Sequence, residues 1–247
     1  MHIFQVNERY SMAGDIKDIA SAAERLVVKL ENVTNNLANA STIGFKEEYL
    51  RSISENDLLN QQENQVPVDS HSINMSQGMI QQTGNALDVA LDGDGFFAIQ
   101  TKDGELYTRK GNFHLNKNSE IVTSAGEPVL GDRGPIVAKG KNINIDQQGL
   151  ITVDGGQIGK LKVVTFAQPK MLERAGNGVF SAPAAAGVKV KDNPQIVSNS
   201  VELSNVNAVQ QMVTMIEIQR TMETYQKLIQ TITEQDKIST TRVGRLM

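Results

Sequence analysis

The stretch MIEIQRTMETYQKLIQTI, residues 215–232, decides how this chain is read. Its apolar and aromatic residues stand at Met215, Ile218, Met222, Tyr225, Ile229 and Ile232, in steps of three and four. That alternation is a heptad seam, the pattern of a helix laid along a partner helix. A second seam lies near the other end, at Ile16, Ile19, Ala23, Leu26, Leu30, Val33 and Leu37. Two seams at opposite ends, with unlike sequence between them, predict that the ends come together. Apolar heptad positions also occur on helices that dock singly on a core, but the strict spacing in both stretches favours a helix-to-helix seam. A lone pair of such helices is marginal, because ordering two long helices opposes the burial of a few anchors. Many copies side by side, sharing second faces such as Val209, Val213 and Ile216, would hold them readily.

Composition narrows the function. The chain has 247 residues, 39% of them hydrophobic and 4% aromatic, with no Trp, which is lean for a self-sufficient core. A formal net charge of −4 argues against a nucleic-acid partner, since neutralising phosphates takes a basic face. Without Cys there are no disulfides, zinc–thiolate sites or thiol catalysis. No run of 18 apolar residues exists, so no membrane-spanning segment is expected. Residues Met1–Tyr10 lack the basic-then-apolar layout of a signal peptide, so export would need a signal-independent route.

Along the chain, Met1–Tyr10 shows no clear period, and Asp15 is the expected cap of the first helix. Asn39, Ser41 and Gly44 should end it. From Glu47 to Met75 polar residues such as Gln61, Gln62 and Gln65, with Pro67, predict a linker or extended arm. From Gly78 the period drops to two. Leu87, Val89 and Leu91 alternate, Gly93-Asp94-Gly95 makes a turn before Phe96–Gln100, and Asp103-Gly104 marks a hairpin before Glu105–Arg109. Further strands are expected at 113–115, 120–123, 143–145, 150–153 and 161–166, with a looser stretch over 167–191. The fold class is therefore α+β: terminal helices paired in a coiled-coil-like bundle around a central, mainly antiparallel β domain, a sandwich or partly closed barrel. The expected division is 1–46, 47–75, 76–200 and 201–247.

The search for chemistry finds little. His2, His71 and His114 are scattered, with no ligand at metal spacing. Asp88, Asp92 and Asp94 are dense, but Phe96 and Phe97 follow where a calcium loop needs further ligands, so turn geometry accounts for them. Gly155-Gly156-Gln157-Ile158-Gly159 precedes a strand where a phosphate loop requires a helix. No catalytic residue, metal or cofactor is expected. Two non-enzymatic readings remain: a self-assembling structural subunit, or a binding or adaptor module on a coiled-coil stalk.

Particular residues carry a resemblance. Asn35-Asn36-Leu37-Ala38-Asn39-Ala40-Ser41-Thr42 followed by Gly44-Phe45-Lys46 resembles the N-terminal signature of the bacterial flagellar rod and hook proteins. Ser76-Gln77-Gly78, Thr83-Gly84-Asn85, Leu87-Asp88-Val89-Ala90-Leu91 and Gly95-Phe96-Phe97 are similar to that family's central block, although Ala86 stands where the pattern has proline. Tyr107-Thr108-Arg109 with Gly111-Asn112-Phe113 matches a further motif. Ser204-Asn205-Val206-Asn207, Met212-Val213, Met215-Ile216, Gln219-Arg220 and Tyr225 resemble its C-terminal helix. The short interval between Lys46 and Ser76 places the resemblance nearest the proximal rod branch, with the distal rod branch second.

The resemblance implies a structural subunit of the flagellar basal body, in the periplasmic rod. Its terminal helices would form the inner tube and its β domain would lie outside. Implied partners are other copies of itself and other rod proteins, with the flagellar type III export apparatus during secretion and no cleavable signal peptide. No reaction is implied; the work is transmission of torque.

Overall fold

A computed structural model describes residues 2–51, 70–102, 104–176 and 178–244. Two long helices, α1 (His2–Ala38) and α2 (Ala208–Gly244), bracket nineteen short strands among the described residues. The chain divides into two compact units, Met1–Leu37 with Asn207–Met247, and Ala38–Val206.

In the helical unit α1 starts at His2, earlier than the expected cap at Asp15. Gly14 costs a helix interior only about 1 kcal/mol, and the good helix formers around it continue the turn. Side chains from Ile19 onward are described, so the seam position Ile16 lies outside that range. Ile19, Ala23, Leu26, Leu30 and Leu37 are half-buried and Val33 is buried, whereas Val27 and Val28 are exposed. On α2, Ile218 is buried and Met215, Met222, Tyr225, Ile229 and Ile232 are half-buried. Between them, from 219 to 231, the remaining positions are exposed. Asn207 caps α2 by accepting the Gln210 N–H at 3.1 Å, with the Gln211 N–H on its carbonyl. A second apolar stripe, Val209, Met212, Val213 and Ile216, is exposed on the same helix.

The other unit is the β body. Its strands in chain order are β1 (Glu48–Arg51), β2 (Ser70–Ile73), β3 (Ile80–Gln82), β4 (Val89–Leu91), β5 (Phe96–Thr101), β6 (Gly104–Thr108), β7 (His114–Leu115), β8 (Ile121–Val122), β9 (Leu130–Gly131) and β10 (Gly134–Pro135). There follow β11 (Ile143–Ile145), β12 (Leu150–Val153), β13 (Gly156–Lys160), β14 (Val163–Phe166), β15 (Glu173–Gly176), β16 (Val179–Ser181), β17 (Val188–Val190), β18 (Ile196–Ser198) and β19 (Ser200–Glu202). The central sheet has six strands in the order β15-β16-β6-β5-β14-β17, all antiparallel. A three-stranded sheet, β11-β12-β13, and several two-stranded ladders surround it.

Both faces of the central sheet are covered, which explains why Phe96-Phe97-Ala98-Ile99 reads as a continuous apolar run. Phe97 and Ile99 join Val163, Val179, Ile151 and Ile145 in one core. Phe96 and Ala98 join Tyr107, Val164 and Phe180 in a second core on the opposite face. The sparse aromatic residues are concentrated here: Phe97 meets Phe113 edge-on at 5.3 Å, and Phe96 meets Phe166 and Phe180 at 5.4 and 5.5 Å.

Two expectations need correction. The arm from 47 to 75 begins and ends in structure, because β1 pairs with β2 from Glu48↔Ile73 to Arg51↔Ser70; its polar middle, 52–69, with Gln61, Gln62, Gln65 and Pro67, lies outside the described residues. The stretch 167–191 contributes three strands, two of them the edges of the central sheet. Edge strands bury one side only and carry charged residues, so β15, reading Glu-Arg-Ala-Gly, shows no alternation. Truncating Phe97 to Ala should cost the β body about 3–5 kcal/mol, whereas Val190→Ala on exposed β17 should stay within about 0.5 kcal/mol. Denaturant midpoints of the two variants check this.

Candidate functional site

The residues that carry the resemblance are far apart in sequence, yet in the β body several of them converge. Past the end of α1, the Thr42 N–H donates to the Asn39 carbonyl at 3.0 Å, and Gly44 follows in a left-handed conformation, φ 66°. A side chain at Gly44 would meet the Arg109 and Lys110 backbone at 2.5 Å, so only glycine fits. The Gly44 N–H then donates to the Glu202 carbonyl at 2.7 Å, and the Asn205 N–H to the Phe45 carbonyl at 3.3 Å. Thus the segment leaving α1 is bonded directly to the segment leading into α2.

Asn205 holds this junction through its side chain. Its Oδ1 accepts the Glu47 N–H at 2.7 Å, and its Nδ2 donates to the carbonyls of Asn74 and Ser76, both at 2.9 Å. Gly78 passes so close to Leu203 that a Cβ would lie 2.0 Å from its carbonyl oxygen. The Gly78 N–H donates to Glu202 Oε1 at 2.9 Å.

At the centre lie three charged groups with almost no solvent: Lys46 and Glu202 side chains are 1% exposed and Arg109 3%. Lys46 Nζ donates to Glu202 Oε1 at 2.6 Å and to the Ser76 carbonyl at 2.7 Å. Arg109 Nη1 donates to Glu202 Oε2 at 3.1 Å, and Nη2 to the Gly93 carbonyl at 2.9 Å. A buried carboxylate between two cations is tolerable only with this degree of hydrogen bonding. Burial holds the Lys46 amine below its ordinary 10.5, opposed by Glu202 and reinforced by Arg109. Burial likewise lowers Arg109, against the pull of Glu202.

A third cation closes the outer side. The Arg174 guanidinium lies 4.4 Å from the Phe45 ring centroid and 5.5 Å from that of Phe180. It donates from Nη2 to the Lys46 carbonyl at 2.7 Å and pairs with Glu48 at 3.3 Å.

The expected motif residues are thus partly gathered. Gly44, Phe45, Ser204, Asn205 and Val206 belong to this junction or flank it, with Phe45 and Val206 buried. Asn35, Asn36 and Leu37 belong to the helical unit, where Asn36 is buried; Ala38 and Asn39 begin the β body. Sequence reasoning did not single out Lys46, Arg109 or Glu202 as site residues. The signal was present for Glu202, an acid in an otherwise apolar strand context, Ser-Val-Glu-Leu. Asp88 is buried as the acceptor of Thr83 Oγ1 and Asn85 Nδ2, while Asp92 and Asp94 are exposed in the turn. Among the described residues, no three His, Cys, Asp or Glu side chains are grouped to hold a metal. Among the same residues, no helix is long and apolar enough to cross a membrane.

Comparison with known proteins gives the family. Residues 90–153 match a family model described as the flagellar hook protein FlgE/F/G D1 domain, and residues 197–241 one described as the flagellar basal body rod FlgEFG protein C-terminal region. The flagellar basal-body rod protein FlgG of Buchnera aphidicola (subsp. Schizaphis graminum) is 32% identical over 238 residues, covering 83% of this chain and 90% of the relative. The chain belongs to the flagellar basal-body rod protein family. Relatives called FlgF stand at the same level: that of Salmonella typhimurium is 33% identical over 233 residues, covering 87% of this chain and 92% of its own. That of Caulobacter vibrioides is 29% identical, covering 88% and 93%. These rod proteins are structural and non-enzymatic as a family. Arg109 falls in the first matched region of this rod-family chain and Glu202 in the second.

The lowered Lys46 value fixes a sign. The folded chain binds fewer protons at Lys46 than the unfolded chain does, so the contribution of Lys46 to stability grows as pH rises toward 10.5 and falls again as pH drops through the lowered value. Denaturant unfolding over that range should therefore show the unaltered chain gaining stability relative to Lys46→Met as pH rises; a constant difference contradicts it.

Proposed function

We propose that this chain is a structural subunit of the flagellar rod, of the proximal FlgF-like kind, that assembles through its paired terminal helices into the drive shaft that transmits torque. The observation that carries this is the pattern on α2. The positions Met215, Ile218, Met222, Tyr225, Ile229 and Ile232 are withdrawn from solvent at heptad spacing, while a second apolar stripe, Val209, Met212, Val213 and Ile216, is exposed. The first face suits pairing with the α1 seam at Ile19, Ala23, Leu26, Leu30, Val33 and Leu37, within the unit that both ends form. The second suits other copies of this chain and of other rod proteins. Interfacial helices of this kind gain most of their stability on assembly, so joining the growing rod and ordering the ends would be one coupled step. Delivery through the flagellar type III export apparatus, to a periplasmic position, belongs to the same reading. The short interval between Lys46 and Ser76 supports the proximal over the distal, FlgG-like subtype.

Placing a carboxylate on either seam, Leu30→Asp or Ile218→Asp, should abolish rod assembly and motility, because an unpaired buried charge costs more than a helix pair can supply. The β body should keep its circular dichroism. A normal rod in either variant refutes the seam assignment. Complementation separates the subtypes: restored swimming is expected in a strain lacking FlgF, and restoration only in one lacking FlgG would reverse the choice.

A further inference from the structure

Among the described residues, five lysines are withdrawn from solvent: Lys46, Lys110, Lys160, Lys162 and Lys191. Lys46 spends its ammonium on Glu202, Lys162 on Glu105 at 2.7 Å, and Lys160 and Lys191 on the carbonyls of Asp192 and Asp94. Lys110 alone of the five makes no side-chain hydrogen bond or ion pair with the described residues. It lines a cavity of about 260 Å³ with Thr108, Thr123, Ser124, Glu127 and Val179. Both its backbone and its stem are held there. The Lys110 N–H donates to Thr108 Oγ1 at 3.1 Å, and its Cε lies against Gly178, 2.8 Å from where a Cβ would stand. The neighbouring polar groups are committed elsewhere. Thr108 Oγ1 donates to the Gly178 carbonyl at 2.9 Å, and Thr123 Oγ1 donates to Glu127 Oε2.

We propose that Lys110 is an acylation site, whose amine takes a small acyl group from a donor of the acyl phosphate class. A half-buried ammonium without a partner loses hydration that nothing replaces, which favours its neutral form. Burial accordingly holds the Lys110 amine below its ordinary 10.5, opposed by Glu127. The neutral amine is the nucleophile. Its lone pair attacks the donor's carbonyl carbon, an N–C bond forms, and the C–O bond to phosphate breaks. Phosphate leaves with that electron pair, and the proton shed by the nitrogen passes to water. The product is an amide, which cancels the Lys110 charge beside Glu127. Lys46 is also buried, but it is 1% exposed and bonded to Glu202, so no donor reaches it. Lys102, Lys117 and Lys139 are exposed and keep their ammonium groups in water.

The test is limited labelling of the folded full-length chain with acetyl phosphate at about pH 8, where most lysines stay protonated. Peptide mass spectrometry reads the rate at each lysine. Lys110 should be acetylated about threefold to tenfold faster than Lys102, Lys117 and Lys139. Labelling in guanidinium chloride should erase the difference, because the advantage belongs to the folded cavity. Glu127→Gln keeps an acceptor for Thr123 and removes the carboxylate that opposes deprotonation. Lys110 should then label about twofold to threefold faster still, with the exposed lysines unchanged. A folded chain in which Lys110 reacts no faster than the exposed lysines overturns the site. A preference that survives unfolding belongs to the local sequence and overturns it as well, as does a Glu127→Gln chain that labels Lys110 no faster.

Discussion

A single buried carboxylate organises the β body's connection to both chain ends. Glu202 accepts from Lys46, Arg109 and the Gly78 backbone, and each donor comes from a different stretch of sequence. Buried charge tolerates no approximation: an unmatched partner costs several kcal/mol, whereas trimming an apolar side chain at the surface costs little. The surrounding features follow from keeping that site matched and dry. Gly44 and Gly78 lack side chains because the backbone must approach closely there. Asn205 satisfies the peptide groups exposed by the crossing segments, and Arg174 caps the outside by stacking on Phe45.

Beneath the junction, the β body solves a different problem. A chain with only seven Phe and no Trp has little aromatic surface to bury. It concentrates Phe96, Phe97, Phe113, Phe166 and Phe180 on or against one sheet, using both of its faces. The charged site borders the second of these cores, where Arg109 lies over Phe96 at 5.2 Å and Arg174 over Phe180 at 5.5 Å.

Much of this was legible in the residues. Heptad spacing marked the α2 face from Met215 to Ile232, and period-two alternation with Gly turns located β4, β5, β6, β11 and β12 closely. These signals are local, produced by the geometry of a single helix or strand. Other elements were not legible. β15 is an edge strand whose composition carries no alternation, β17 is only three residues long, and β1 with β2 pairs across a polar insertion that reads as linker. The start of α1 was misplaced because Asp15 looks like a cap although nothing before it stops a helix.

The site itself divides along the same line. The sequence by itself determined the α+β class, the mainly antiparallel β domain and the family motifs, because periodicity and short signatures are properties of neighbouring residues. Only the tertiary structure decided that Lys46, Arg109 and Glu202 share one buried site, 156 and 93 residues apart along the chain for the two pairs. Lys46 and Arg109 stand in short motifs and Glu202 among apolar neighbours, but their pairing arises where distant segments meet, and no local pattern encodes which segments those will be.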